Sequence, residues 1–166
     1  MRPVGASRMA RLARDLLDAS TLCAIATVSP GGKAYVNTAY FAWSPELDVV
    51  WLSDPRARHS RNIRANGSVA IAVYDSTQSW GKPDRGIQLF GSAREGDSDE
   101  EAIYAARFPD YVPNEFAAYR LYRFRPRRLK LFDERELGPA VFVSARVAAW
   151  GRLVWERTER YDRARH

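Results

Sequence analysis

The sequence predicts a mainly β protein (α+β), whose antiparallel strands form a closed or nearly closed barrel with a few short flanking helices. Segments rich in β-branched and aromatic residues recur between Gly, Pro and Asn turn signals, and they outnumber the helical segments about two to one. Because few helices separate them, antiparallel strands are favoured over a sheet of βαβ units. The chain has 166 residues, 46% of them hydrophobic, which is enough for one domain with a sizeable core.

The N-terminal part predicts one helix and then a meander of three strands. In residues 7–19, apolar side chains recur at helical spacing among charged ones, which predicts an amphipathic helix over an edge of the core. Its apolar positions are Met9, Leu12, Leu16 and Leu17. Strands are predicted at 21–29, 34–43 and 49–53, where Pro-Gly-Gly and Ser-Pro-Glu signals mark the intervening turns.

The middle of the chain predicts a second helix and a buried strand. Asp54 before Pro55 has the pattern of an N-cap followed by a first-turn proline, so we expect the helix to start there. Asn66-Gly67 is expected to close it. The following strand, 68–74, is nearly all apolar, and we expect both of its faces to be buried.

The rest of the chain predicts a strand at 85–94, a helix at 97–108 opened by Ser98 and acidic residues, and three further strands. These last strands are 117–124, 127–133 and 141–147. We therefore assign residues 1–148 to a single domain and residues 149–166 to a charged C-terminal tail. A solvated helix is the preferred form of the tail, and a cover over a ligand site is the alternative.

The composition limits the compartment and the partners. The net charge of +6 suits anionic ligands, but it does not choose between a small phosphorylated molecule and nucleic acid. The single cysteine, Cys23, lies in an apolar run, which excludes an intrachain disulfide and predicts a buried core position. No segment has the pattern of a signal peptide or reaches the ~18 apolar residues of a membrane span. We therefore expect a cytoplasmic protein with no membrane partner.

The junction between the strand at 49–53 and the next helix carries the strongest functional signal. The free amides and the positive dipole end of a helix N-terminus attract an anion. Arg58 and Arg61 lie three residues apart on one helical face, and His59 lies beside them. Because guanidinium groups bind phosphate oxygens bidentately, the pattern predicts a phosphate site. A solvated basic face is the alternative.

Four stretches together resemble the FMN-binding split-barrel family, which includes pyridoxamine 5′-phosphate oxidase and small flavin reductases. They are AIATVSPGG at 24–32 with VNTAYF at 36–41, LSDPRARH at 52–59, NIRAN at 62–66 and GIQLFG at 86–91. In order and spacing they cover most of 22–94, and their combination is more specific than any one of them. The resemblance implies that the predicted barrel is a split β-barrel.

The resemblance implies that the phosphate of FMN lies at the basic junction. Arg58 and His59 would bind it, with Ser53 and the backbone of Leu52 beside them. Arg61 would support them from the same helical face. The family usually has lysine where His59 stands, and histidine is only partly charged near neutral pH. The affinity for FMN is therefore expected to be lower or pH-dependent unless the phosphate raises the pKa of His59.

The resemblance places the flavin ring along the second strand. Asn37, Thr38 and Ala39 would give hydrogen bonds to the polar edge of the ring. Gln88 on a later strand would contact the ring or the ribityl chain, and a shift of two residues in the alignment would put Gly86 in that place. The alternative for Gln88 is an ordinary outward-facing strand residue.

The function implied by the resemblance is that of an FMN-dependent oxidoreductase, a homodimer with the cofactor at the subunit interface. Its small-molecule substrate or electron donor is not identified by the sequence. Pyridoxamine 5′-phosphate oxidase activity itself is not expected, because the C-terminal Arg-Leu-Pro type segment is not recognisable. The alternatives are a barrel that binds the deazaflavin F420, one that binds haem through His59, and a flavin binder without turnover.

No catalytic residue or metal site is assigned, because the flavin itself accepts hydride and the sequence has no clustered cysteines or histidines. Trp80, Trp150 and Trp155 are candidate ring or interface contacts. The stretch 119–125 alternates aromatic and basic residues, which is a feature of nucleic-acid-binding strands. Such alternation more often reflects one buried and one solvated strand face, so we do not expect a nucleic-acid partner.

Overall fold

The computed structural model describes residues 3–161, and within them eight strands form one antiparallel sheet. The helices are α1 (Ala6–Asp18), α2 (Arg58–Ala65), α3 (Ser98–Arg107) and α4 (Glu134–Leu137). The strands are β1 (Leu22–Val28), β2 (Ala34–Trp43), β3 (Val49–Ser53), β4 (Ser68–Tyr74), β5 (Arg85–Glu95), β6 (Arg120–Asp133), β7 (Val141–Val147) and β8 (Leu153–Arg160). Two 3-10 turns, Pro113–Phe116 and Ala149–Gly151, precede β6 and β8.

The sheet closes into a barrel because β3, at one edge of the sheet, also pairs with β6. The strand order is β3-β2-β1-β4-β5-β6-β7-β8, and β3 pairs with β6 as well as with β2. Strands β1 to β6 therefore form a six-stranded barrel, which β7 and β8 extend. The predicted fold class, mainly β with a split antiparallel barrel and short helices, is confirmed.

The barrel is split where β2 separates from β3. Over Ala34 to Tyr40, β2 pairs with β1, but its pairing with β3 is confined to 41–43. Leu52 and Ser53 at the end of β3 pair only with β6. The facing edges of the two strands therefore leave a gap, and backbone groups along the edge of β2 are free to bind a ligand.

The barrel interior and α1 share one hydrophobic core. The α1 side chains in it are Met9, Leu12, Ala13, Leu16 and Leu17, which confirms the predicted amphipathic helix. Cys23 lies in the same core, and burial raises the pKa of its thiol to about 12, as expected for a core cysteine. Among the described residues, no helix has both the length and the apolar character needed to cross a membrane.

Helix α3 covers the outer face of the barrel beside the split. Its first turn is held by a capping box, in which the Asp97 carboxylate accepts from the Asp99 amide and the Glu100 carboxylate accepts from the Asp97 amide. Tyr104 on this helix packs with Leu121 in a second small core. The helix therefore forms one side of the gap between β2 and β3.

The second helix starts later than predicted. It begins at Arg58, with Ala57 as its N-cap residue and no side-chain cap, whereas Asp54 was the predicted cap. The Asp54 carboxylate instead accepts a hydrogen bond from the Arg56 amide at 2.8 Å, and the Asp54 carbonyl accepts one from the Ala57 amide at 3.0 Å. This local turn competes with the helix for the backbone of 54–57. Asn66 ends the helix, as predicted.

Strand β4 is buried on one face only, so the expected burial of both faces is wrong. Val69, Ile71 and Val73 point into the core, whereas Ala70 and Ala72 are half-buried on the outer surface. In this barrel the outer face of β4 is instead an open surface of small side chains.

Strand β6 is one continuous strand where two were predicted. It carries a β-bulge, because Gly91 of β5 pairs with Pro126 while Phe90 pairs with Arg128, and Arg127 is left over. A Cβ atom on Gly91 would lie 2.1 Å from the Arg125 carbonyl oxygen. Glycine is therefore required at position 91 for β5 and β6 to lie this close together. The close approach allows β6 to continue beyond Pro126.

The predicted tail forms strand β8, so the preferred solvated helix is wrong. Leu153 to Arg160 pair with β7, which offers an open sheet edge. Trp155 packs against the main core and donates its Nε1 hydrogen to the Thr158 hydroxyl at 3.0 Å. It is therefore a packing residue, whereas Trp80 and Trp150 are exposed. Residues 162–166 of the predicted tail lie outside the described residues.

Candidate functional site

A groove of about 560 Å³ opens at the split between β2 and β3. Its sides come from β2, from the end of β3 with α2, and from α3 with the segment that follows it. The lining residues are Asn37, Thr38, Ala39, Tyr40, Leu52, Ser53, His59, Tyr104, Phe108, Asp110, Tyr111, Phe116 and Tyr119. The groove therefore brings together six of the nine predicted site residues: Asn37, Thr38, Ala39, Leu52, Ser53 and His59.

The β2 side of the groove is polar at its backbone edge. Asn37, Thr38 and Ala39 lie where β2 has no partner on the β3 side. The Oδ1 atom of Asn37 is buried and accepts no hydrogen bond from the described protein. A buried acceptor without a partner is costly, and a ligand N–H or O–H group would remove that cost.

The opposite end of the groove holds a serine and a histidine. Ser53 ends β3 and His59 lies in the first turn of α2, and Ser53 Oγ lies 2.5 Å from His59 Nε2. The helix is fixed to the barrel by Asn62, whose amide donates to the Thr27 hydroxyl at 3.0 Å. Burial lowers the pKa of His59. The imidazole is therefore mainly neutral at pH 7 in this structure, and it hydrogen-bonds to Ser53 rather than carrying a charge.

The two predicted arginines lie beside the groove and not in its lining. The Arg58 guanidinium donates to the Tyr35 hydroxyl at 2.9 Å and stacks over the Tyr35 ring at 4.9 Å. Arg61 donates to the Arg56 carbonyl oxygen at 2.5 Å and so closes the 54–57 turn. Both side chains are exposed on α2.

Gln88 lies in a different place from the other predicted site residues. It is exposed on the outer face of β5, in a shallow hollow of about 300 Å³. This hollow is lined by Ala24, Ala26, Val36, Ala70, Ile71, Ala72 and Phe90. Within this chain Gln88 therefore has the outward-facing position that was the alternative to a cofactor contact, and Gly86, the shifted choice, is buried against Phe132.

Sequence reasoning missed the aromatic wall of the groove. Neighbouring rings along it contact one another with centroid distances from 4.8 to 5.9 Å. The rings are those of Tyr104, Phe108, Tyr111, Phe116 and Tyr119. Burial raises the pKa of Tyr104 and of Tyr111, so both phenols remain protonated hydrogen-bond donors near neutral pH. The recurrence of an aromatic residue every three to five positions from 104 to 119 was a signal in the sequence.

The aromatic and basic alternation at 119–125 follows the strand period. Tyr122 and Phe124 are fully buried, and Arg123 on the other face donates to Asp48 and to Glu100. One face of β6 therefore packs in the barrel while the other makes ion pairs. The barrel accounts for the pattern without a nucleic-acid partner.

The family model for pyridoxamine 5′-phosphate oxidase matches residues 9–133 of this chain. The chain belongs to the pyridoxamine 5′-phosphate oxidase family. The matched segment contains every strand of the barrel and all residues that line the groove. Strands β7 and β8 lie beyond the match.

A protein named as a pyridoxine/pyridoxamine 5′-phosphate oxidase is similar over part of the chain. The pyridoxine/pyridoxamine 5′-phosphate oxidase of Rubrobacter xylanophilus is 30% identical over 84 residues, which are 50% of this chain and 36% of that protein. This chain therefore covers well under two thirds of that relative.

Solved structures share the barrel. A haem-binding protein from Mycobacterium smegmatis superimposes with a TM-score of 0.67 and 19% identity, over 91% of this chain and 61% of that one. A structure described as an F420 reductase gives a TM-score of 0.54 and 24% identity, over 70% of this chain and 94% of that one. At these identities the likeness is one of fold.

Proposed function

We propose that the groove binds FMN and that the protein is a flavin-dependent oxidoreductase acting on a small molecule. The observation that carries the proposal is the split between β2 and β3. It places an unpaired strand edge, the side-chain oxygen Oδ1 of Asn37, which has no hydrogen-bond partner among the described residues, and the Ser53–His59 pair along a single groove. Membership of the pyridoxamine 5′-phosphate oxidase family supports the choice of a flavin.

The phosphate of FMN fits the Ser53–His59 end. The Ser53 hydroxyl and the His59 ring would donate to phosphate oxygens there, and the positive end of α2 adds to the attraction. Arg58 adjoins His59, and its exposed guanidinium is held by one hydrogen bond to the Tyr35 hydroxyl and by contact with the Tyr35 ring. We expect Arg58 to leave that contact and bind the phosphate.

The flavin ring fits the β2 side. Its polar edge offers an N–H donor, for which the buried Asn37 Oδ1 is an available acceptor. Tyr104 and Phe108 would keep water away from the ring, and the Tyr111 hydroxyl would be a donor beside it. When bound, FMN supplies hydride and electron transfer chemistry. The residues of this chain bind and orient the cofactor and exclude water.

We also propose a homodimer with the cofactor at the subunit interface. Next to the groove, the outer face of β1, β2, β4 and β5 exposes small and apolar side chains. Val36 on this face is 73% exposed and Phe90 is 44% exposed, although both are apolar. A second copy packed on this face would cover them and would bring Gln88 of one subunit towards the groove of the other. The reduced, buried Cys23 suits a cytoplasmic location.

The test is the absorption spectrum of the purified protein before and after addition of FMN, F420 or haem, with the released cofactor identified by mass. Flavin bands, released FMN and oxidation of a nicotinamide donor would support the proposal. A Soret band would favour haem bound through His59, and F420 absorbance would favour the deazaflavin. Flavin binding with no turnover on any donor would leave a flavin-binding protein without enzymatic activity.

A further inference from the structure

A second groove, of about 790 Å³, lies between β6 and the turn that follows β7. Its volume is in the range of small-molecule sites. None of its lining residues lines the groove at the split, so among the described residues the two are separate. One wall carries Arg123, Arg125 and Arg127, and the other carries Trp150 and Gly151.

Strand alternation places the third arginine in this wall. Arg123, Arg125 and Arg127 lie at every second position of β6, so their side chains point to the same face of the strand. The β-bulge follows directly: because Gly91 pairs with Pro126 and Phe90 pairs with Arg128, Arg127 has no partner on β5. Bulges are common next to active sites.

Two of the three arginines are available to an anion. Arg123 is occupied, since it donates to Asp48 at 2.8 Å and to Glu100 at 2.8 Å. Arg125 contacts Asp48 only through Nε, at 3.4 Å, and its side chain is 68% exposed. Within residues 3–161, the Arg127 side chain makes no hydrogen bond or ion pair. Arg125 and Arg127 therefore offer two guanidinium groups in one groove, and such groups bind phosphate oxygens bidentately.

The facing wall presents a flat aromatic ring. Trp150 is 89% exposed and has left-handed backbone angles, φ 61° and ψ 29°. Its indole makes no hydrogen bond or ring contact with any residue from 3 to 161. The turn itself is held firmly, because a Cβ atom on Gly151 would lie 2.7 Å from Glu46 Cα. A rigid turn therefore holds the ring in solvent, where it is a stacking surface.

We propose that this groove binds a nucleoside phosphate. Arg125 and Arg127 bind the phosphate, the base stacks on Trp150, and the exposed Glu46 carboxylate accepts hydrogen bonds from sugar hydroxyl or base amino groups. The volume accommodates one nucleotide, which favours a free nucleotide over a nucleic-acid strand. This site is additional to the proposed FMN site and does not depend on it.

The experiment is a calorimetric titration of the full chain with ADP at low ionic strength, in the absence of FMN and again with saturating FMN. We expect one ADP per chain under both conditions. Arg127→Ala should weaken ADP binding by about tenfold or more. Trp150→Asn should weaken the binding of ADP more than the binding of pyrophosphate. Asparagine is chosen because it tolerates left-handed backbone angles. The matched control is Arg14→Ala, an exposed arginine on α1, which should leave ADP binding unchanged.

Four results would overturn the proposal. They are no ADP binding, displacement of ADP by FMN one for one, equal weakening by Arg127→Ala and Arg14→Ala, and binding of a single-stranded oligonucleotide without binding of ADP. Circular dichroism of each variant shows whether it is folded. Arg127 and Trp150 are exposed, and among residues 3–161 their side chains make no hydrogen bond, ion pair or ring contact, so we expect their variants to have the wild-type spectrum.

Discussion

The hydroxyl oxygen of Ser53 lies 2.5 Å from Nε2 of His59, at the point where β3 ends and α2 begins. The two residues are six positions apart, and the turn over 54–57 brings them together. This contact occupies the imidazole that would bind phosphate. Cofactor binding must therefore rearrange the pair, and the following predictions address that step and the barrel that supports it.

Replacement of Arg58 tests the phosphate end of the groove. Arg58→Ala should weaken FMN binding by about 1–3 kcal/mol, the scale of one charge-assisted hydrogen bond. Flavin fluorescence titration measures the Kd. Arg14→Ala removes the same charge far from the site and should have no effect. An unchanged Kd in Arg58→Ala would remove Arg58 from the binding site.

The charge of His59 should make FMN binding pH-dependent. Burial lowers the pKa of His59 in the free protein, whereas a bound phosphate would raise it, so FMN binding takes up a proton. The affinity should therefore be highest at low pH and fall as the pH rises through the pKa of the FMN-bound histidine. His59→Lys keeps its charge over this range, so its Kd should be lower and should vary less with pH. Parallel pH profiles for the two proteins would contradict this explanation.

The same histidine should affect the stability of the free protein. Its pKa is lower in the folded than in the unfolded chain, so the unfolded chain binds more protons between the two values. The stability due to neutral His59 is present above the unfolded pKa and is lost as the pH falls from the unfolded pKa through the lower, folded pKa. Urea unfolding of wild type and His59→Gln across that range should give curves that diverge on acidification. Curves that stay parallel would show that His59 is not the group responsible.

Gly91 permits the close approach of β5 and β6 at the bulge. Gly91→Ala should lower the free energy of unfolding by about 1–3 kcal/mol, because its Cβ would overlap the Arg125 carbonyl. Gly31→Ala is the matched control, since the nearest atom to its Cβ would be 3.9 Å away. Chemical denaturation compares the two variants. Equal stability would show that the strands move apart without cost.

Arg123 neutralises two buried carboxylates. Asp48 and Glu100 have side chains that are 2% and 0% exposed, and Arg123 pairs with both. Arg123→Leu leaves both groups without this partner, which should cost about 3–5 kcal/mol in the free energy of unfolding. Arg127→Leu on the same strand should change stability by less than about 0.5 kcal/mol, because Arg127 is exposed. A small loss in Arg123→Leu would mean that Arg125 or water takes its place.

Local patterns were sufficient for most elements but not for those that depend on partners distant in sequence. The α1 helix follows from the spacing of Met9, Leu12 and Leu16, and the meander follows from its turn residues. The continuity of β6 could not be seen, because Pro126 normally ends a strand and its tolerance depends on Gly91 of another strand. Strand β8 was missed for the same reason: its charged sequence pairs because β7 offers an edge.

In the candidate site, too, some residues were predicted from local sequence and others were placed only by the tertiary structure. Asn37, Ser53 and His59 were predicted from short stretches, and the split in the barrel brings them to one groove. Gln88 lies elsewhere on the chain surface, and the wall from Tyr104 to Tyr119 was not foreseen. By itself the sequence determined the fold class, most of the helix-forming and strand-forming segments and the basic junction, since these depend on local periodicity and turn chemistry. Tertiary structure decided which strand edges remain unpaired, which arginines are neutralised and which aromatic rings face the groove, because these depend on contacts between residues far apart in the chain.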